Sequence, residues 1–263
     1  MDLQLRNKRA LVTGSSRGLG YAIAHLLASE GCRVAINSRN DQTLQASAQR
    51  MADETQGEVL ALAGDISQLE FPDTLIAQVV EKFGGLDLLV TNAGGPPAGK
   101  FETFDEQSWQ KAVDLSFLLH VRLIRAALPY LRRSACASVL TLTSYSVKQP
   151  IPNLVLSNSA RAATVGLTKS LALELGPEGI RFNSILPGWT ATERVIEIMS
   201  FRAQANGTTV DDEINKQAKE AALGRMARPE EVANAAVFLL SPAAAYITGV
   251  MLTVDGGIYK GTQ

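Results

Sequence analysis

Apolar runs of strand length alternate with longer stretches of helical periodicity from one end of this chain to the other. Parallel strands need long crossover connections and helices supply them, so this alternation reads as βαβ units around a parallel sheet. Ala10 to Gly14 is the first strand, SSRGLG a turn, and Tyr21 to Ser29 a helix stopped by Gly31. Val34 to Ser38 follows as a strand, Asn40 to Thr55 as a surface helix capped by Asn40 or Asp41, and Glu58 to Ala63 as a third strand. Phe71 to Phe83 is a helix, and Leu86 to Gly95 a strand entering a glycine-rich turn. Ser108 to Arg133 is long and apolar, with Pro129 expected to kink or break its last turns. Ser138 to Ser144 is the fifth strand, Ser157 to Leu175 a helix, and Ile180 to Leu186 the sixth strand. After a mixed-charge insertion at about 192–223 come the helix Pro229 to Leu240 and the strand Val250 to Val254.

With 263 residues, 46% of them apolar, the chain can bury a full core, and one domain is expected. The 25 basic and 26 acidic residues are interspersed without a block of like charge, which argues against nucleic acid as a partner. No apolar run marks a signal peptide or a membrane span, so a soluble, cytoplasmic protein is expected, with no membrane partner. Cys32 and Cys136 stand far apart, outside any CxxC or Cys/His cluster, so neither a disulfide framework nor a metal site is indicated.

The turn TGSSRGLG carries the first chemistry. Gly14, Gly18 and Gly20 lie between a strand and a helix, where glycines admit a pyrophosphate to the backbone and the helix N-terminus offers free N–H groups. The spacing is GxxxGxG rather than GxGxxG, and by itself it also suits a tight packing turn.

Four further motifs stand in order behind it: Gly64-Asp65, the NAG of Asn92 to Gly94, PGWTAT from Pro187 to Thr192, and ITGVMLTVDGG near the C-terminus. Together they resemble the short-chain dehydrogenase/reductase family over essentially the whole chain, most of all its reductases of 3-oxoacyl-acyl-carrier-protein. The resemblance implies an α/β fold, Rossmann-like and doubly wound, with a seven-stranded parallel sheet, and NAD or NADP as cofactor. It also implies the residues that hold the cofactor: Gly14, Ser16, Arg17, Gly18, Leu19 and Gly20 in the turn, Asp65 and Ile66 at the adenine, Asn92, Ala93 and Gly94 beside the ribose, and Pro187, Gly188, Thr190 and Thr192 toward the carboxamide.

After the second strand an acid would bind a ribose diol and a base would bind a 2'-phosphate. The chain has Ser38 and Arg39 there, with Arg17 in the glycine turn, which favours NADP over NAD. Arg39 as a solvated loop residue is the alternative.

In the family a tyrosine donates the proton, a lysine one helical turn later holds the ribose, a serine binds the carbonyl, and an asparagine holds a relay water. The serine falls on Ser144, but the other three positions are Ser157, Arg161 and Ser116. An aliphatic hydroxyl is a far weaker acid than a phenol, and a guanidinium stays protonated where an amine could relay. Tyr145 is a candidate substitute only if the chain has left the strand at Ser144, since neighbouring strand residues face opposite ways. Lys148 is a weaker one, and His25 and His120 read as structural.

The insertion is expected to be a lid, with Ile196, Ile198, Met199 and Phe201 as apolar lining and Arg194 and Arg202 available to an acidic group. The resemblance further implies a homotetramer built on the two apolar helices. Two functions remain open: a reductase or dehydrogenase acting on a small carbonyl or alcohol with a reassigned proton donor, and a cofactor-binding protein without turnover.

Overall fold

The computed structural model describes residues 1–262. Seven parallel strands form its sheet: β1 (Arg9–Thr13), β2 (Arg33–Ser38), β3 (Val59–Ala63), β4 (Leu88–Thr91), β5 (Ser138–Leu142), β6 (Arg181–Pro187) and β7 (Met251–Val254). Their order, β3-β2-β1-β4-β5-β6-β7, makes the crossovers reverse direction between β1 and β4. In an open sheet that reversal leaves a crevice at the carboxyl ends of the strands, and ligands bind there.

Side-chain alternation divides the core in two. Ala10 and Val12 of β1, with Leu88 and Val90 of β4, face the layer made by α1 (Gly18–Ser29), α2 (Asp41–Thr55) and α9 (Pro229–Leu240). Leu11 and Leu89, paired in register, face the opposite layer, made by α3 (Phe71–Phe83), α5 (Leu119–Leu131) and α6 (Val155–Leu175). A strand buried on both faces has no polar side, which is why these strands read as continuous apolar runs. Asn40 caps α2, its side chain accepting the Thr43 N–H. The amino edge of the sheet is sealed by polar pairing: Asp87 accepts from the Arg9 Nε at 2.8 Å and Nη2 at 2.7 Å and from the Ser134 hydroxyl at 2.5 Å. The carboxyl edge carries the glycine turn and the loops that follow β4, β5 and β6.

Three expected elements differ. The segment expected as one helix from Ser108 to Arg133 is α4 (Glu106–Val113), a π-helical turn over Asp114–Leu118, and α5. The helix is disturbed at this turn and not at Pro129, which sits inside α5. Pro129 and Arg125 are both exposed, so the carbonyl that Pro129 leaves unpaired lies on the solvent side of α5, where its cost is small, and the helix continues. The strand expected to Gly95 stops at Thr91, because Asn92 turns toward the glycine loop. The strand expected to Ser144 stops at Leu142, because Ser144 caps a 3-10 turn over Tyr145–Val147.

The insertion folds as α7 (Glu193–Asn206) and α8 (Val210–Ala218). Val195, Ile198 and Met199 of α7 pack with Tyr145, Ile151, Leu154, Trp189, Ala221 and Ile258 into a third apolar cluster over the carboxyl edge. Ile196 and Phe201 point outward instead, 53% and 41% exposed, so of the four expected lining residues only Ile198 and Met199 face inward. No helix among the described residues is long and apolar enough to cross a membrane.

Candidate active site

The glycine turn is built for backbone approach. Gly14 and Gly18 have φ of 58° and 60°, where a Cβ is strained. Gly20 is more constrained still: a Cβ there would run into the Gly14 carbonyl and come within 2.8 Å of the Asn92 Nδ2. Asn92 acts as a clamp on this turn. Its Nδ2 donates to the Gly14 carbonyl at 2.9 Å and the Thr13 carbonyl at 3.2 Å, and its backbone N–H donates to Thr13 Oγ1 at 2.9 Å. The side chain expected beside a ribose is therefore spent on shaping the cradle. The clamp joins β1 to β4 across the switch point, a link that a residue type alone does not reveal.

Ser16, Gly18 and Leu19 are half-buried around the start of α1, and Arg17 is its exposed N-cap. Ser38 ends β2 and Arg39 is exposed beyond it. Neither Arg17 nor Arg39 makes an ion pair among the described residues. Asp65 has one carboxylate oxygen occupied by the backbone and hydroxyl of Ser67, at 2.9 and 2.8 Å. Ile66 is buried in the core, so its side chain is unavailable to a ligand and only its backbone could meet an adenine. Ala93 packs against the core and Gly94 is open, with no atom within 4 Å of a Cβ built on it. On the far side, a Cβ on Gly188 would lie 2.6 Å from the Asp255 Cα, so this loop crosses β7 at the distance only glycine permits. Pro187 ends β6, and the loop places Thr190 against Ala227 and Thr192 at the N-terminus of α7.

At the ends of β5 and α6 the structure gathers the positions expected to be catalytic. Arg161 lies one turn after Ser157 on α6; its Nε donates to Ser157 Oγ at 3.2 Å, and its Nη1 donates to the carbonyls of Leu142 at 3.0 Å and Thr143 at 3.3 Å. These bonds tie α6 to the residues immediately before Ser144. Ser144 Oγ accepts the Ser146 N–H at 3.1 Å. Ser116 is the central residue of the π turn: its carbonyl accepts the Thr164 hydroxyl at 2.5 Å, and its own buried hydroxyl has no partner among the described residues. A π turn frees backbone groups that a regular helix would pair, and it often marks a functional position.

Burial lowers the Arg161 pKa to about 10, with repulsion from Arg194 as the second cause. Arg194 extends from α7 and donates to the Pro96 carbonyl at 2.7 Å, linking the insertion to the loop after β4. Arg202 does not reach an open acid site; it stacks on Trp189 with 4.9 Å to the ring centroid and bonds Gln217. Tyr145 has left the strand, which was the condition for its candidacy. It is nevertheless turned to the Trp189 indole rather than to Arg161, and burial pushes its pKa up to about 12. The phenol is therefore a poorer acid than usual, which weakens Tyr145 as a substitute proton donor. Lys148 lies over the Tyr259 ring, 5.4 Å from its centroid.

His120, one turn beyond Ser116, is 1% exposed and shares a 2.7 Å hydrogen bond with the Thr91 hydroxyl. Burial first, and then the charge of Arg161, push its pKa down to about 3, so it is neutral in the folded protein. The unfolded chain takes up a proton near pH 6.5 that the native state refuses, so stability is lost as pH falls below that value. The expected contribution is up to about 1.4 kcal/mol per pH unit. Urea unfolding at pH 6.5 and 5 checks it: the parent is expected to lose about 2 kcal/mol more than His120→Asn.

A cavity of about 960 Å³ lies elsewhere, behind α1 and between α2, α7, α8 and α9. Only Gly18 and Thr192 of the expected site residues line it, so the chemistry follows the converging hydroxyls and guanidinium rather than this space.

Residues 14–259 match the family model described as enoyl-(acyl carrier protein) reductase. The human dehydrogenase/reductase SDR family member 4 is 34% identical over 258 residues, which span 96% of this chain and 88% of the relative. This chain belongs to the short-chain dehydrogenase/reductase family. Within the family it is also similar to the 3-oxoacyl-[acyl-carrier-protein] reductase of Chlamydia muridarum, 30% identical over 98% of this chain and 100% of that one. Among solved structures, the L-sorbose reductase of Gluconobacter frateurii, complexed with NADPH and L-sorbose, is similar with a TM-score of 0.94 and 33% identity over 99% and 100% of the two chains. A short-chain oxidoreductase of Pseudomonas aeruginosa PAO1, NADPH-bound and described as containing an atypical catalytic center, is similar with a TM-score of 0.89 and 29% identity over 98% and 100%.

Proposed function

We propose that this chain is an NADP(H)-dependent oxidoreductase that interconverts a small carbonyl compound and its alcohol at an atypical catalytic site. The observation that carries the reading is the arrangement at the ends of β5 and α6: Arg161 bridges Ser157 to the backbone next to Ser144, on the same sheet edge as the glycine cradle. Fit to the cofactor is supported by Gly14 and Gly20, where a side chain would break the turn that presents the start of α1, and by the exposed Arg17 and Arg39 guanidiniums, which have no ion-pair partner among the described residues. In this reading the start of α1 holds the pyrophosphate, Arg17, Ser38 and Arg39 hold the 2'-phosphate, and Asp65 with the Ile66 backbone borders the adenine. Arg161 holds the nicotinamide ribose, and Thr192, whose hydroxyl donates to the Thr190 carbonyl at 3.3 Å, can accept from the carboxamide. When bound, NADPH supplies the hydride. Ser144 and Ser157 orient the carbonyl, and α7 with α8 closes over it as a lid that excludes water.

NADPH is expected to bind at least tenfold more tightly than NADH, and Arg39→Glu to reverse that preference by removing a cation and repelling the 2'-phosphate. Fluorescence titration with both cofactors checks it, and equal affinities in the parent would refute the NADP assignment. Oxidation of NADPH against a panel of ketones and aldehydes tests turnover itself.

The lack of a phenol or amine at Ser157 and Arg161 favours a second reading, a NADP-binding protein without turnover; tight NADPH binding with no reduction of any carbonyl would establish it. The similarity to sorbose and acyl-carrier-protein reductases supports small polar or acyl carbonyl compounds as substrates. The outward face of α6, with Ala162, Ala163, Gly166 and Leu173 exposed, supports assembly into a homotetramer. Light scattering at micromolar concentration checks this.

A further inference from the structure

The hydroxyls of Ser144 and Ser157 are both accepting a hydrogen bond from the protein, and each therefore keeps its own hydrogen. Ser157 Oγ receives the Arg161 Nε–H at 3.2 Å, and Ser144 Oγ receives the Ser146 N–H at 3.1 Å. Among the described residues nothing accepts from either O–H. Two donors are thus turned outward at the edge where a carbonyl oxygen would sit, and one of them is backed by a cation. That cation is unusual in its surroundings. Arg161 is satisfied by one hydroxyl and two backbone carbonyls, and no carboxylate pairs with it among the described residues. The charged groups facing it are Arg194 from α7, which repels it, and His120 from α5, which is neutral. A guanidinium ordinarily stays protonated, but one held half-buried without counter-charge releases a proton more readily than one in water. The shift to about 10 brings it into the range of an ordinary phenol.

Resting on the oxidoreductase reading above, we propose that Ser157 delivers the proton to the substrate oxygen and that Arg161 is the positioning residue that re-protonates Ser157 through its Nε–H. In reduction a C–H bond forms at the carbonyl carbon and the carbonyl π pair moves onto oxygen. The Ser157 O–H bond breaks and its proton goes to that oxygen; the Arg161 Nε–H bond breaks and its proton goes to Ser157 Oγ. Water returns a proton to the guanidine. NADPH is the reductant and NADP⁺ the oxidised product, so electrons and protons balance. Because Arg161 gives its proton as Ser157 loses one, the serine never carries a full uncompensated charge, which removes the objection that an aliphatic hydroxyl is too weak an acid. Ser144 donates a second hydrogen bond to the same oxygen.

The test has two arms. Arginine labelled with ¹³C at Cζ, in the full chain with NADPH bound, is followed by NMR from pH 7 to 11.5. One resonance, absent in Arg161→Lys, is expected to titrate near pH 10. Steady-state reduction of the carbonyl panel is then compared between variants. Ser157→Ala and Arg161→Gln are each expected to lower kcat about 100-fold, the double variant no further, with NADPH affinity in Ser157→Ala within twofold of the parent. Arg161→Lys is expected to restore kcat to within about tenfold of the parent, since an ammonium also donates. The reductive kcat of the parent should fall as pH rises through about 10, and Arg161→Gln should lose that limb. A parent that binds NADPH and reduces nothing overturns the oxidoreductase reading and the relay with it. A parent that turns over while Ser157→Ala keeps kcat within threefold, or an Arg161 signal that stays flat to pH 11.5, overturns the relay alone.

Discussion

Gly20→Val is expected to abolish measurable NADPH binding and to lower the unfolding free energy by about 3 kcal/mol. The added carbon meets the Gly14 carbonyl and the Asn92 amide, which are bonded to each other at 2.9 Å and cannot both retreat. Relief would require breaking the clamp between β1 and β4, so the cost combines overpacking with a lost buried hydrogen bond. The same movement would carry Gly14 and the start of α1 away from the pyrophosphate. Thermal or urea unfolding reads the first effect and fluorescence titration the second. A variant that kept NADPH affinity within threefold of the parent would show that the cradle is not the binding element.

The double replacement Ser157→Tyr with Arg161→Lys is expected to raise the reductive kcat on small ketones about 100-fold without a comparable change in NADPH affinity. A phenol beside an ammonium would give its proton to the substrate oxygen directly, whereas the parent must pass one through a weakly acidic hydroxyl. Ser157 is half-buried, and Arg161, bonded to it, already reaches the Leu142 and Thr143 carbonyls that a lysine would approach. The measurement is NADPH oxidation against the carbonyl panel, parent and double variant side by side. A parent with no turnover and an active double variant would favour the reading of a binding protein with a dismantled acid. An inactive double variant beside an active parent would mean that the pocket is shaped around the serine.

The glycine turn illustrates what a sequence can carry. TGSSRGLG between a strand and a helix announces a phosphate cradle because glycine spacing, the apolar run before it and the helical pattern after it are all local. The family resemblance likewise implies that Ser157 and Arg161 stand where relatives carry a phenol and an amine. The role of Asn92 was less legible. The motif marked it as a ribose neighbour, yet the side chain closes the turn from a strand nearly eighty residues away. Tyr145 shows the opposite case. Period-two alternation would have turned it away from the site, and only the early end of β5 at Leu142 frees it, after which burial makes it a weaker acid despite the Trp189 indole beside it. The π turn at Ser116 left no local trace, because it is supported by the Thr164 hydroxyl from another helix.

Sequence alone therefore determined the order of strands and helices and the glycine turn between β1 and α1, and it motivates the reading of a phosphate-bearing cofactor and of a replaced proton donor. These rest on patterns within one turn or one strand, where neighbours in the chain are neighbours in space. Tertiary structure decided the state of Arg161. Its burial against two β5-end carbonyls, the absence of a carboxylate beside it and the repulsion from Arg194 come from three separate elements, and together they set how readily a guanidinium can part with a proton.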